Sequence, residues 1–182
     1  MSEAVVKELV AGVVGRILHG QYSRKLDAMG RCVMPPQFRR DIMWGRNPVA
    51  MLNPNGCICL FPENVWEAYV RAIQPGDIFA DPEAHKQVLW TYARSFSVAL
   101  DDKERVQLPD VLLNELRMPV DTDVEIVGCR DHIQVWEKSR LDRFMGSFPD
   151  GHREAMKYKP QATVAAAAAD KTEKGNGGQG QE

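Results

Sequence analysis

A segment of this chain occurs twice, and the duplication constrains the fold more than any other feature. Residues 22–35 return as residues 96–109, at an offset of 74. Six positions keep the same type of residue in both copies: Tyr22 and Phe96, Ser23 and Ser97, Leu26 and Leu100, Asp27 and Asp101, Arg31 and Arg105, and Pro35 and Pro109. An internal repeat indicates one structural unit built twice. The sequence therefore predicts two similar units that present similar surfaces to a symmetric or repetitive partner.

The centre of each copy is predicted to be a tight turn. In the first copy, the side chain of Asp27 accepts hydrogen bonds from backbone amides, and Gly30 adopts a positive φ at the last turn position. Asp101 is expected to shape the second turn in the same way. The second turn has Glu104 at the position of Gly30. If the backbone needs a positive φ there, a side chain at that position costs on the order of 1 kcal/mol.

Each unit is predicted to run strand, turn, strand, helix, hairpin, helix. In the first unit these elements are strands 21–26 and 31–34, a helix from Pro35-Pro36 to about residue 43, a hairpin of strands 49–52 and 56–61, and a helix over 62–73. A linking helix is predicted over 82–89. In the second unit they are strands 91–100 and 105–108, a helix over 109–117, a hairpin of strands 123–127 and 132–136, and a helix over 137–144. The repeat extends into the hairpins at an offset of 75, which aligns Val49 with Val124 and Ile58 with Ile133.

The predicted fold is α+β, with two tandem β-rich modules, short flanking helices and a pseudo-two-fold within one chain. Neither module is long enough to bury much surface alone, so the two are expected to pack on each other. The predicted boundaries are an N-terminal extension (1–16), a first module (17–74), a linker with a helix (75–92), a second module (93–145) and a low-complexity, disordered tail (146–182).

The net charge of −2 conceals an asymmetry between the two halves. Residues 16–46 contain seven basic and two acidic residues, a charge of +5, whereas residues 95–145 contain seven basic and eleven acidic residues, a charge of −4. Such a split indicates that the basic segment meets an anion. From charge alone, basic residues that merely keep an exposed face solvated explain the pattern equally well.

No motif indicates catalysis, a cofactor or a metal. Cys57 and Cys59 share one strand face, so a metal pair is geometrically possible, but no His or second cysteine pair lies at ligand spacing nearby. Buried, reduced cysteines of a cytosolic protein are the favoured interpretation. A Gly-rich phosphate loop, a nucleophile motif and a convincing carboxylate pair are also missing, so an enzyme is not expected. No apolar run reaches the roughly 20 residues that span a bilayer.

The repeated residues resemble a known family. Gly20-x-Tyr22, then Leu26-Asp27-x-x-Gly30-Arg31-x-x-x-Pro35, is similar to the opening of the MraZ family of bacterial transcriptional regulators. Leu100-Asp101-x-x-x-Arg105-x-x-x-Pro109, followed by Val127-Gly128 and residues 133–136, is similar to the family's second half. The resemblance covers about residues 17–144. Met29 stands where the family usually has Lys, and Glu104 where it usually has Gly.

The resemblance implies tandem AbrB-like (SpoVT/AbrB) β-barrel modules fused in one chain. It also implies a ring-shaped homo-oligomer, nucleoid-associated in the cytoplasm, that binds direct repeats in double-stranded DNA upstream of the division and cell-wall gene cluster. A DNA reader needs cations for phosphates and side chains that reach base edges, and a two-stranded ribbon fits the major groove.

Arg24 and Arg31 are accordingly candidate base or phosphate contacts on a ribbon formed by the first two strands and their turn. Three further cations, Lys25, Arg39 and Arg40, are candidate phosphate contacts. Asp27 is expected to shape the turn and orient Arg31, although an ion pair of purely structural use between these two residues remains open. Arg105 is a weaker candidate, for which a structural role is favoured.

Two classes of function remain after these predictions. The favoured one is a DNA-binding transcriptional regulator. The alternative is a non-catalytic oligomeric scaffold, in which the acidic second repeat meets protein rather than DNA. Glu104 and the charge asymmetry give this alternative its support.

Overall fold

Eight strands and five helices follow one another in a computed structural model, which describes residues 17–42, 47–72 and 79–147. The first half contains β1 (Gln21–Lys25), β2 (Arg31–Val33), α1 (Pro36–Ile42), β3 (Val49–Asn53), β4 (Cys57–Phe61) and α2 (Glu63–Ala72). The second half contains α3 (Pro82–Ala93), β5 (Ser95–Ser97), β6 (Arg105–Gln107), α4 (Asp110–Leu116), β7 (Asp123–Cys129), β8 (His132–Glu137) and α5 (Lys138–Gly146). The predicted order of elements is confirmed. The predicted extension over 1–16, the end of the first helix at residue 43 and the tail beyond residue 147 lie outside the described residues.

Six strands form one antiparallel sheet in the order β1-β7-β8-β4-β3-β5. The repeat makes β1 equivalent to β5, β3 to β7, and β4 to β8. If each strand is replaced by its equivalent, the same order is obtained when it is read from the opposite edge. Each half of the chain therefore occupies matching places in the sheet. The first strand of each half pairs with the hairpin of the other half, β1 with β7 and β5 with β3. The two halves are therefore joined by hydrogen bonds between distant segments.

The two remaining strands, β2 and β6, form a separate antiparallel pair, which we call the β2–β6 ribbon. The prediction that β1 and β2 pair as the two arms of one ribbon is wrong. The chain reverses at the turn, but β1 pairs with β7, whereas β2 pairs with β6. Each of these three-residue strands forms its backbone hydrogen bonds with the equivalent strand of the other half.

The predicted β-barrel is corrected by this topology. Among the described residues the six-stranded sheet is open, with β1 and β5 as its edges. The other two strands pair with each other in the β2–β6 ribbon. The architecture is mixed α+β with antiparallel pairing.

The repeat shifts by one residue in the hairpins. Tyr22 lies opposite Ile126, and its equivalent Phe96 lies opposite Ala50, so β3 and β7 are related by 76 residues rather than by the predicted 75. The offset of 75 does hold for β4 and β8, since Ile58 pairs with Val135 and Leu60 with Ile133. The loop between β7 and β8 is one residue shorter than the loop between β3 and β4, and this difference changes the offset from 76 back to 75.

Two apolar clusters cover the two faces of the sheet. The larger one joins the sheet to the β2–β6 ribbon, α1 and α4, and its fully buried members include Leu26, Cys32, Phe38, Ile58, Val106, Leu108, Leu112 and Ile126. The smaller one lies under α2 and α5, with Met51, Cys57, Cys59, Phe61, Val65, Trp136 and Leu141. Because both faces are covered, all five residues of the central strand β4 are buried. The inner side chains of the ribbon, Cys32 and Val106, pack in the larger cluster.

Helix α3 is longer than the prediction, and the strand predicted over 91–100 shrinks to β5. The helix begins at Pro82, where Oδ1 of Asp81 accepts a hydrogen bond from the amide of Glu83 at 2.9 Å. Thr91 stays helical because its hydroxyl donates to the carbonyl of Gln87 at 2.9 Å. This bond satisfies a residue that otherwise favours strands. No helix in the described part of the chain has the length and apolar character to cross a membrane.

Candidate nucleic-acid interface

The first turn is built around the carboxylate of Asp27. Its Oδ1 accepts hydrogen bonds from the amides of Met29 and Arg31, each at 2.9 Å, and its Oδ2 accepts one from Nε of Arg31 at 2.9 Å. The amide of Gly30 donates to the carbonyl of Asp27 at 2.9 Å. Gly30 has a φ of +72°. The predicted turn-shaping roles of Asp27 and Gly30 agree with this geometry.

The second turn repeats the first almost atom for atom. Oδ1 of Asp101 accepts from the amides of Lys103 and Arg105 at 2.9 Å each, and Oδ2 accepts from Nε of Arg105 at 2.8 Å. The amide of Glu104 donates to the carbonyl of Asp101 at 2.8 Å. Glu104 has a φ of +59°, so the position equivalent to Gly30 does adopt the left-handed conformation despite its side chain.

These hydrogen bonds stabilise the ionised carboxylates. The side chain and the amide of Arg105 lower the pKa of Asp101 to about 2. Desolvation by burial raises the pKa of Asp27, but the hydrogen bonds from Arg31 and Met29 outweigh it and lower the pKa overall. In the second turn, the hydrogen bond with Asp101 is the main cause that raises the pKa of Arg105. Both turns therefore hold ion pairs over the whole physiological pH range.

The two turns lie at opposite ends of the short β2–β6 ribbon. The amide of Leu108 donates to the carbonyl of Gly30, and at the equivalent place the amide of Met34 donates to the carbonyl of Glu104, each at 2.9 Å. Nη1 of Arg105 lies 3.8 Å from Oδ2 of Asp27, the oxygen that also accepts from Nε of Arg31. The arginines of both repeats thus meet around one carboxylate.

The ribbon buries one face and presents the other. Cys32 lies opposite Val106, and both are buried. The outward positions pair Arg31 with Gln107, and Val33 with Arg105. One short surface therefore carries two guanidinium groups, one apolar side chain and the amide of Gln107, whose Nε2 donates to the carbonyl of Met29 at 2.6 Å. Val33 and Gln107 were not predicted as site residues. The repeat does contain a signal for them, since they occupy equivalent positions two residues after each arginine.

Strand β1 carries two further predicted cations away from the ribbon. Nη1 of Arg24 donates to the carbonyl of Ser23 at 2.7 Å. Nζ of Lys25 lies 3.6 Å from Oδ1 of Asp121, and both side chains are more than half exposed. Arg24 and Lys25 thus lie on a strand that pairs with β7, whereas Arg31 lies on a strand that pairs with β6. The structure does not bring these three cations together on one ribbon.

Helix α1 carries the last two predicted cations. The guanidinium of Arg39 forms an ion pair with the carboxylate of Glu104, and its Nε donates to the carbonyl of Met34 at 2.9 Å. Arg39 therefore lies beside the second turn, in contact with the other half of the chain. Arg40 belongs to the same helix, but its side chain lies outside the described residues.

A second group of reactive side chains lies in the smaller apolar cluster, away from the turns. Cys57 and Cys59 are buried in this cluster and unoxidised. Cys32, buried in the larger cluster, and the half-buried Cys129 are also unoxidised. Nδ1 of His132 lies 2.8 Å from Oδ1 of Asp131, and its ring stacks on Phe61 with centroids 4.7 Å apart. Burial raises the pKa of Cys32 to about 12 and that of Cys129 to about 11. Within the described ranges no three His, Cys, Asp or Glu side chains are arranged to hold a metal.

The chain is similar to curated bacterial proteins over most of its length, although no family model matches it. A protein named transcriptional regulator MraZ from Lachnoclostridium phytofermentans is 26% identical over 123 residues, which cover 68% of this chain and 83% of the relative. Its namesake from Acetivibrio thermocellus is 25% identical over 133 residues (71% and 87%), and that from Moorella thermoacetica is 25% identical over 143 residues (77% and 94%). Over 68% or more of its length the chain is therefore similar to bacterial proteins named transcriptional regulator MraZ.

Proposed function

We propose that this protein is a sequence-specific DNA-binding transcriptional regulator of the division and cell-wall gene cluster, which binds direct repeats as a ring-shaped homo-oligomer. The β2–β6 ribbon carries the proposal, because it presents Arg31 and Arg105 on one outward face. A two-stranded ribbon fits the major groove, where arginine pairs with guanine.

Arg31 is the principal contact in this proposal. Within the described residues, its ion pair with Asp27 uses Nε, and its side chain is 32% exposed. The two terminal nitrogens of its guanidinium are the atoms that are proposed to contact DNA. Arg105 has Nε and Nη2 on Asp101 and Nη1 near Asp27, so all three of its nitrogens already lie close to carboxylates. It contributes less than Arg31 and mainly orders the ribbon.

The remaining cations supply the affinity that does not depend on sequence. Arg24 and Lys25 on β1 and Arg40 on α1 are proposed to neutralise phosphates, and Arg39 is a further candidate whose guanidinium is paired with Glu104. Each contact adds a modest, salt-dependent increment. A ring of subunits raises the effective concentration of every further contact, which makes direct repeats a suitable operator. Binding to such repeats is proposed to associate the protein with the nucleoid.

The two halves of the chain are proposed to be AbrB-like modules, over 17–74 and 93–145. The palindromic strand order supports this division, since each module has the same elements in the same relative places. The modules exchange their first strands, so neither is expected to fold without the other.

A mobility-shift titration on the DNA upstream of the protein's own gene tests the proposal. Wild-type protein should protect direct repeats in a footprint, and its affinity should fall steeply with added salt. Arg31→Ala should abolish specific binding while the oligomer stays intact in size-exclusion chromatography. Wild-type affinity in that variant would contradict the assignment.

A non-catalytic oligomeric scaffold is the second candidate. The acidic side chains of the two turns favour it, because Asp27 and Asp101 pair with the two arginines of the ribbon, and Asp102 and Glu104 add two more acidic residues to the second turn. Retention on heparin or on random DNA at low salt separates the two functions. A scaffold would flow through, whereas a DNA-binding regulator would be retained.

A further inference from the structure

The two halves differ at one pair of equivalent positions beside the turns. In the first turn, Gly30 lies against Leu113 of α4, whose Cδ1 is 2.9 Å from the place a Cβ would take. In the second turn, the equivalent of Gly30 is Glu104, and the equivalent of Leu113 is Arg39 of α1, at the repeat offset of 74. An apolar contact in one copy is therefore replaced by an ion pair in the other.

Glu104 and Arg39 are connected in two ways. Their side chains form an ion pair between the second half of the chain and the first. Both residues also bind the backbone of Met34: the carbonyl of Glu104 accepts from its amide, and Nε of Arg39 donates to its carbonyl, each at 2.9 Å. Because these backbone bonds fix both residues, the two charged groups are held together rather than meeting by chance on a mobile surface.

The ion pair lies at the end of the β2–β6 ribbon. Glu104 immediately precedes Arg105 of β6, and Met34 immediately follows Val33 of β2. The side chain of Glu104 is 51% exposed and that of Arg39 is 27% exposed, so a ligand lying on the ribbon reaches both groups. A DNA phosphate at this place would compete with the Glu104 carboxylate for one guanidinium.

We propose that Glu104 limits the affinity of the ribbon surface for DNA by holding the guanidinium of Arg39 in an intramolecular ion pair. The inference rests on the proposed function, because it describes how one residue tunes the same surface. It also gives a functional consequence to the presence of Glu104, rather than glycine, in the second turn. Glu104 keeps a cation from the phosphates and makes the two ends of the ribbon unequal.

The test compares Glu104→Gln with Asp102→Asn, which each remove one negative charge from the same turn. Asp102 is exposed and forms no ion pair within the described residues, so it reports the general effect of charge. Affinity is measured for duplex DNA from upstream of the protein's own gene, and for a random duplex, at salt concentrations from about 50 to 200 mM. Circular dichroism and size-exclusion chromatography establish that the variants keep the fold and the oligomer.

Glu104→Gln should bind both duplexes more tightly than wild type, because Arg39 becomes available for one further phosphate. One phosphate contact steepens the plot of log affinity against log salt by about 0.9, so the gain over wild type should grow about threefold between 200 and 50 mM salt. Asp102→Asn should leave the slope unchanged. Equal slopes for the two variants would overturn the inference.

A second background shows whether the effect passes through Arg39. Arg39→Gln is neutral and keeps an amide donor for the carbonyl of Met34. In this background, Glu104→Gln should no longer steepen the salt dependence, and a gain that persists there would overturn the inference.

Failure of the inference and failure of the proposed function are distinguishable. If neither the wild type nor Glu104→Gln binds DNA, both the proposed function and the inference are wrong. If the wild type binds and Arg31→Ala does not, the proposed function stands. The comparison of Glu104→Gln with Asp102→Asn then decides the inference alone.

Discussion

Asp27 and Arg31 are joined by three hydrogen bonds across the first turn. The amide of Asp27 donates to the carbonyl of Arg31 at 2.8 Å, and the amide and Nε of Arg31 donate to the carboxylate of Asp27 at 2.9 Å each. The carboxylate therefore sets both the course of the backbone and the direction of the guanidinium. Asp101 and Arg105 repeat all three bonds in the second turn.

Asp27→Asn should weaken DNA binding more than it weakens the fold. An asparagine oxygen still accepts from the two turn amides, but its NH₂ group meets the Nε donor of Arg31, so the guanidinium loses its orientation. The free energy of unfolding should fall by less than about 1 kcal/mol, since the side chain of Asp27 is 35% exposed. Urea unfolding and mobility-shift titration of the same preparation measure the two effects. A loss of stability without a loss of affinity would show that the pair has a structural use only.

The stability that Asp101 contributes should disappear in acid. The pKa of Asp101 is about 2 in the folded chain against 3.8 as its ordinary value, so its contribution is fully present above about pH 4 and is lost as the pH falls towards 2. The difference in urea midpoint between the wild type and Asp101→Asn should accordingly shrink over that interval. Asp102→Asn, in the same turn, is the matched control. A difference that stays constant from pH 5 to about pH 2 would contradict the assignment.

Leu26→Ala and Leu100→Ala should have unequal costs although the repeat makes the two residues equivalent. Leu26 is fully buried in the larger apolar cluster, whereas Leu100 only packs against its margin. Leu26→Ala leaves a cavity and should lower the free energy of unfolding by about 2–5 kcal/mol, with a clearly smaller loss for Leu100→Ala. Urea unfolding of both variants measures the difference. Equal losses would mean that the two halves share the core more evenly than the structure shows.

The local features of this fold could be predicted from the sequence, because their causes lie within a few residues. Asp27 and Gly30 are three residues apart, and the chemistry of an aspartate and a glycine in a turn is sufficient to place both. The hairpin of β3 and β4 and the start of α2 follow from similar short signals. Helix α3 was predicted too short, since the hydrogen bond from Thr91 to Gln87 leaves no trace in the pattern of apolar residues.

The pairing of strands could not be predicted in the same way. Gln21 of β1 donates to the carboxylate of Glu125 in β7, 104 residues away, and alternation along a strand does not identify its neighbour. The β2–β6 ribbon was missed for this reason, and with it the common surface of Arg31 and Arg105. The ion pair of Glu104 with Arg39 was also missed, because it depends on the two halves lying side by side.

Gly30→Ala should destabilise the protein through both the backbone and Leu113. The φ of +72° is strained for any residue with a Cβ, and the new methyl group would lie 2.9 Å from Cδ1 of Leu113. We expect a loss of at least about 1 kcal/mol in the free energy of unfolding. In a Leu113→Ala background this contact disappears, whereas the backbone strain and the 3.3 Å approach to Nε2 of Gln107 remain, so Gly30→Ala should cost less there than in the wild type. Urea unfolding of the four proteins in this cycle measures the coupling, and a cost that is unchanged between the two backgrounds would contradict a role for Leu113.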